Sequence, residues 1–152
     1  MIHMREPHRI RPAKLNDVEQ IAPLVAELGY TSSVADVRER LVTLLASSTD
    51  MVYVAVDRGS QVVGWIEVAT RMTLESGLRA EILGLVVASR ARRKGVGLAL
   101  VSAAEQWAAT QGMTSIAVRS NMARLESHPF YEGAGYARKK TQHVYGKTIT
   151  SD

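Results

Sequence analysis

The chain has 152 residues and no cysteine, which excludes disulfides, thiolate metal sites and a cysteine nucleophile. Hydrophobic residues make up 46% and charged residues 22%, ordinary values for one globular domain able to bury its own core. The net charge of +4 raises nucleic acid as a partner, but aromatics are only 5% and no basic face is interleaved with them. The positive charge gathers instead in Arg90–Lys94 and Arg138–Lys140, the first suited to a charged cofactor and the second solvated. No apolar run approaches the roughly 20 residues of a membrane span. Residues 1–11 hold no apolar leader core, so a cytoplasmic protein is expected, with neither membrane nor nucleic acid as partner.

In chain order, Met1–Glu6 is expected to be disordered and Arg9–Ala13 alternates as a short strand. Asn16 or Asp17 caps a helix running to about Leu28, with Val18, Ile21, Leu24, Val25 and Leu28 inward. Pro23 should kink or split that helix, and Gly29 ends it. Ser32 or Ser33 caps a second helix whose inner face is Val37, Leu41, Leu44 and Leu45. Met51–Asp57 and Gln61–Thr70 form a hairpin across Arg58-Gly59-Ser60, and Arg71–Gly77 is a polar loop.

Glu81–Ala88 is a nearly unbroken apolar run and predicts a buried strand. Gly84 inside it predicts a bulge or a close backbone approach to a ligand. Arg92, Arg93 and Lys94 then lead into Gly95-x-Gly97, after which Leu98, Leu100, Val101, Ala104 and Trp107 recur at helical spacing up to a C-cap at Gly112. Ser115–Arg119 reads as a strand, Arg124–Glu132 as a short helix, and Tyr136–Ile149 as two final strands. The expected order is β-α-α-β-β-β-α-β-α-β-β in one mixed α/β domain spanning 1–152.

A strand, a basic glycine-containing turn and a helix together describe an anion site. Glycine lets backbone amides approach closely, and the helix adds unpaired N–H groups and its positive dipole end. The implied ligand is a phosphate or pyrophosphate. A P-loop is excluded because its Lys and Ser/Thr are missing. A dinucleotide fingerprint is excluded because its third glycine position is Leu100.

What remains, Arg92-x-x-Gly95-x-Gly97, resembles the acyl-CoA signature of the GNAT superfamily of N-acyltransferases. The resemblance extends over nearly the whole chain. Asn121 with Phe130-Tyr131-Glu132-x-x-Gly135-Tyr136 is similar to the family's late motif, and Ala80-Glu81-Ile82 is similar to the histone-lysine acetyltransferase branch. His128-Pro-Phe-Tyr-Glu resembles the aminoglycoside and small-amine branch.

The resemblance implies a mostly antiparallel mixed sheet flanked by helices and splayed at its central strand. It implies acetyl-CoA bound by Arg92, Arg93, Lys94, Gly95, Val96, Gly97 and Leu98. The backbone of Leu85, Val86 and Val87 would pair the pantetheine arm and stabilise the oxyanion, and no metal is implied. Glu81 is the base candidate, the alternatives being a wet face or a pair with an arginine such as Arg79; His128 is second choice. Tyr131 is the acid candidate, or else a packed helix tyrosine. Asn121 either bonds the pantetheine or caps the short helix. Glu27 and Tyr30, with the 71–77 loop, are implied to wall the acceptor site.

The expected reaction is direct attack of a primary amine on acetyl-CoA in a ternary complex, since no cysteine can carry the acyl group. A small or aminoglycoside-like amine is the favoured acceptor and a homodimer is allowed for. A protein-lysine or N-terminal acetyltransferase and a non-catalytic acyl-CoA-binding regulator are the alternatives.

Overall fold

Apolar runs between Asp50 and Val87 lay down the centre of a five-stranded sheet, in order β1-β2-β3-β4-β5. The computed structural model describes residues 8–29, 31–119 and 127–150. β1 is His8–Pro12, β2 Asp50–Asp57, β3 Val62–Thr73, β4 Gly77–Val87 and β5 Ile116–Val118. Neighbours are antiparallel except β4 and β5, which are parallel. The helices are α1 (Val18–Ala26), α2 (Val34–Ala46), α3 (Val96–Thr110) and α4 (Ser127–Gly133).

The β2–β3 hairpin forms at the expected turn, where Asp57 Oδ1 accepts from the Gly59 and Gln61 N–H groups, both at 2.9 Å. The next hairpin is longer than expected. β3 continues to Thr73 and β4 starts at Gly77, so most of the predicted 71–77 loop is strand. Two side-chain layers cover the sheet. Val96 and Leu100 of α3 lie against β3 at Gly64. Adjacent strand residues point to opposite faces, and Trp65 accordingly faces a cavity lined by α1 and α2.

Gly84 shows why the run carries a glycine. The β3–β4 register passes from Val68↔Ile82 to Glu67↔Gly84, leaving Leu83 as the extra residue of a bulge. A Cβ on Gly84 would lie 2.8 Å from two atoms of the Trp65 ring. The expected bulge is met at this residue, and the group that approaches it closely is the Trp65 ring rather than a ligand.

Pro23 does not split α1, which is continuous around it. The helix gives up one backbone bond there, and burial of Val18, Ile21, Ala22 and Leu24 holds it on the sheet. Ser33 caps α2 through Asp36 N–H at 3.1 Å; Val37 and Leu41 are buried, whereas Leu45 is exposed, contrary to expectation. Asp17 precedes α1 but its carboxylate does not cap it. It accepts two bonds from Arg11 of β1, each 2.8 Å, and one from Lys14 N–H at 2.7 Å.

The chain divides into two units, Met1–Arg119 and Ser120–Asp152. In the second, α4 ends where Gly135 takes φ +93° and the Tyr136 N–H returns to Tyr131 O at 3.0 Å. The two final strands expected over Tyr136–Ile149 are absent. Residues 136–150 have no regular secondary structure, and Val144, Tyr145 and Ile149 are at least 90% exposed. Two isolated strands without a covering layer are marginal in water, and these residues bury no apolar face.

The Arg11–Asp17 pair gives a pH-dependent prediction. Bonds from Arg11 hold the Asp17 carboxyl below its usual range, against the opposing effect of burial. A depressed folded pKa stabilises above the unfolded value, near 3.9, and that stability is lost as pH falls through the folded value. Asp17→Asn should therefore cost about 3 kcal/mol at pH 7, and the deficit should narrow in acid. Urea unfolding of both proteins at neutral and strongly acidic pH reads this; a deficit constant with pH would refute the ionic assignment.

Candidate active site

The strongest anion-binding feature lies between β4 and α3. Ala88 N–H bonds Val63 O at 2.7 Å, and a short 3-10 turn, Ser89–Ala91, follows with Ala91 buried. Arg93 then takes φ +63° and Gly95 φ +80°. A left-handed arginine costs of order 1 kcal/mol, and such strain at a turn that gathers amides fits a site built to receive a ligand. Gly95 is the N-cap of α3, its carbonyl accepting from Ala99 N–H at 3.0 Å. The N–H groups of Val96, Gly97 and Leu98 open the helix, and such groups have no acceptor earlier in it. Arg92, Arg93 and Lys94 are exposed around them while Val96 is buried as the anchor. Backbone donors, the helix dipole and exposed cations meet at this turn.

β4 supplies the second feature. Its pairing with β5 runs only from Ala80↔Ile116 to Ile82↔Val118, so among the described residues Leu83–Val87 have a sheet partner on the β3 side only. Ala80 N–H points to β5, bonding Ser115 O at 3.1 Å, and Ala88 N–H points to β3. By alternation Leu85 and Val87 turn their peptide groups away from β3, into the opening. Val87 O is met there by Arg92 Nε–H at 3.3 Å. The Arg92 guanidinium also lies 3.6 Å from Glu27 Oε2, so the sequence-predicted acceptor residue Glu27 neighbours the phosphate loop.

The third feature is a pair of carboxylates on one sheet face. Glu81 stands opposite Ala69 and Glu67 opposite Gly84, so both share the face of Trp65. Glu81 is buried at 6% exposure and its two oxygens meet Arg119 Nε at 3.5 Å and Arg71 Nε at 4.0 Å. The anticipated arginine pairing therefore exists, with Arg71 and Arg119 rather than Arg79. Glu67 was not singled out from the sequence. It is half-buried, and among the described residues its carboxylate makes no hydrogen bond or salt bridge. Burial, then the charge of Asp50, raise its pKa, with Arg71 opposing. The available signal was a lone carboxylate in the apolar run Val62–Thr70.

Glu67 lines a cavity of about 480 Å³ between the sheet and α1 and α2. Leu83 and Gly84, the first residues of β4 past its pairing with β5, line it too.

Tyr131 lies on α4 in the second unit, edge-on to Phe130 at 5.1 Å and to Tyr136 at 6.0 Å between ring centroids. Tyr30 and Asn121 fall outside the described residues. His128 belongs to α4.

A family model described as "Acetyltransferase (GNAT) family" matches residues 19–136. An aminoglycoside N(6')-acetyltransferase type 1 of Klebsiella aerogenes is 29% identical over 146 residues, covering 92% of this chain and 96% of that protein. Its namesake from Serratia marcescens is 28% identical over 123 residues, covering 78% and 84%. The solved structure of the aminoglycoside N-acetyltransferase AAC(6')-Iy in complex with CoA aligns with a TM-score of 0.86 at 16% identity, over 98% of this chain and 100% of that one.

Glu67 also yields a stability prediction. A carboxyl whose folded pKa is raised holds its proton longer in the folded state, so stability declines as pH rises through that pKa. Glu67→Gln should therefore raise the melting temperature at neutral pH, with the gain vanishing below about pH 4, near the unfolded carboxyl value. Calorimetric melting across that range checks it; a variant melting below the parent at neutral pH would mean that Glu67 is paired after all.

Proposed function

The chain belongs to the GNAT acetyltransferase family, and we propose that its residues 1–152 act as one domain that acetylates a small primary amine. Acetyl-CoA is the acetyl donor. The one observation that carries the site assignment is the join of the unpaired β4 edge to the amide-rich turn at Gly95. It offers a rail for an extended arm and a seat for a pyrophosphate end to end. The names of the 28–29% identical relatives make aminoglycosides the first acceptors to assay, and small monoamines the second.

Amide formation needs a neutral amine, a polarised carbonyl and a protonated leaving thiolate. In this reading the amine nitrogen attacks the thioester carbonyl and the new oxyanion is met by a backbone N–H of Leu85 or Val87. The amine's surplus proton passes to Glu81, directly or through water, which requires Arg71 or Arg119 to loosen its hold. The C–S bond then breaks and the thiolate takes a proton from Tyr131. Asn121 bonds the arm of the donor, Glu27 and Tyr30 border the acceptor, and His128 is the second-choice base. The family model's span across both units supports the one-domain reading. The acetyl-CoA donor supports a cytoplasmic location, and exposed Val42 and Leu45 on α2 support a homodimer.

Release of CoA thiol from acetyl-CoA, followed with a panel containing neamine and 2-phenylethylamine, tests the function; no release with any amine would overturn it. For the donor site, Gly95→Val forces a β-branched residue to φ +80° and should weaken CoA binding by about 1–3 kcal/mol. Arg92→Ala removes an exposed cation and should cost only about 0–1 kcal/mol. Titration calorimetry with CoA reads both, and the reverse ranking would move the site. Tyr131→Phe should lower kcat by about 10²-fold with CoA affinity kept; an unchanged kcat would remove Tyr131 from the chemistry.

A further inference from the structure

The cavity between the sheet, α1 and α2 has a chemistry of its own. Its walls are chiefly hydrocarbon, with Ile21, Val25, Leu41, Val52 and Trp65 prominent. Among the described residues, the charged side chains that line it are Glu67 and Arg40. Arg40 is exposed on α2 and its Nη1 donates to Ser32 Oγ at 3.0 Å. Glu67 is partnerless among the described residues and half-buried. Leaving a carboxylate without a partner against apolar walls is costly unless a ligand supplies the cation. The charges that act on it do not supply it, since Asp50 of β2 repels and Arg71 of β3 only partly offsets burial.

Position completes the case. Glu67 stands opposite Gly84, at the point where β4 leaves β5 and its free edge begins. A group seated at Glu67 is beside the start of the rail assigned above to the acetyl donor. By contrast Glu81, on the same face, is already held by two guanidinium groups. The unengaged carboxylate is the one facing the space.

We propose that this cavity is the acceptor site, that Glu67 receives the acceptor as its ammonium, which sheds one proton to solvent before the nitrogen attacks, and that the acceptor is a primary amine on a compact apolar body. This rests on the acetyltransferase reading and narrows its acceptor. A polycation suits the walls poorly: a second ammonium inside would meet hydrocarbon or Arg40. A monoamine with an aromatic or aliphatic body satisfies both the carboxylate and the apolar lining, within about 480 Å³.

The test is titration calorimetry of 2-phenylethylamine into CoA-saturated protein, for the parent, Glu67→Gln and Glu67→Asp. Glu67→Gln should weaken the amine by about tenfold or more, the size of one charge-assisted bond, while CoA affinity stays within about twofold of the parent. Glu67→Asp should recover part of the loss. The neutral analogue 2-phenylethanol should bind the parent and Glu67→Gln alike, and neamine should bind the parent more weakly than 2-phenylethylamine does. Equal amine affinity in parent and Glu67→Gln, no heat with the parent, or tighter binding of neamine would each overturn the proposal. CoA release with some other amine alongside such a failure would leave the acetyltransferase reading standing. Amine binding lost in Glu67→Gln without CoA release from the parent would do the reverse.

Discussion

The site depends on one constraint: β4 stays with β3 along its whole length but keeps β5 for only its middle. β5 is three residues long, and the last register pair is Ile82↔Val118. A strand freed on one side exposes backbone donors and acceptors that sheets normally satisfy or cover. The bulge at Leu83–Gly84 decides which groups are exposed. Ala80 and Ile82 turn their peptides to β5, and without an inserted residue Gly84 and Val86 would face the same way. The insertion reverses the alternation, so Leu85 and Val87 face the opening and Ala88 can bond Val63. A one-residue slip flips every group on a strand. The same bulge lets the Trp65 ring lie over Gly84 and brings Glu67 opposite it.

Arg92 shows how the free edge is held. Its guanidinium meets Val87 O at 3.3 Å and Glu27 at 3.6 Å, joining the end of α1 to the strand. Both contacts are exposed, so each contributes little net stability. A ligand lying along the edge can exchange one weak contact for another at small cost. In the proposed donor site, the fixed donors are the backbone amides opening α3.

Much of this was legible in the sequence because it is local. The turn at Arg92–Gly97, the bulge glycine, the hairpin at Arg58–Ser60 and the α2 cap each depend on residue types within a few positions. What was not legible depends on pairing across the sheet. The extension of β3 to Thr73 reflects register with β4, not any local signal. The partners of Glu81 come from β3 and from the residue after β5, at separations that no periodicity encodes. Glu67 was hidden for the same reason: its importance lies in what fails to face it. The final strands were over-read, because β-rich composition after Tyr136 does not supply a layer to cover them.

The two carboxylates on one face differ in how their charge is met. Glu81, buried, is met by Arg71 and Arg119. A buried charge with partners is tolerable, and losing one partner is what destabilises. Its first effect is therefore on the sheet, tying β3 and the exit of β5 to β4 just before the strands part. Glu67 sits one diagonal step away with burial working against its charge. Selection for stability alone would replace it with a neutral residue, and stability sacrificed at one residue is characteristic of a site kept for binding. The geometry thus places the paired carboxylate where the strands must hold together and the unpaired one where a ligand can reach it.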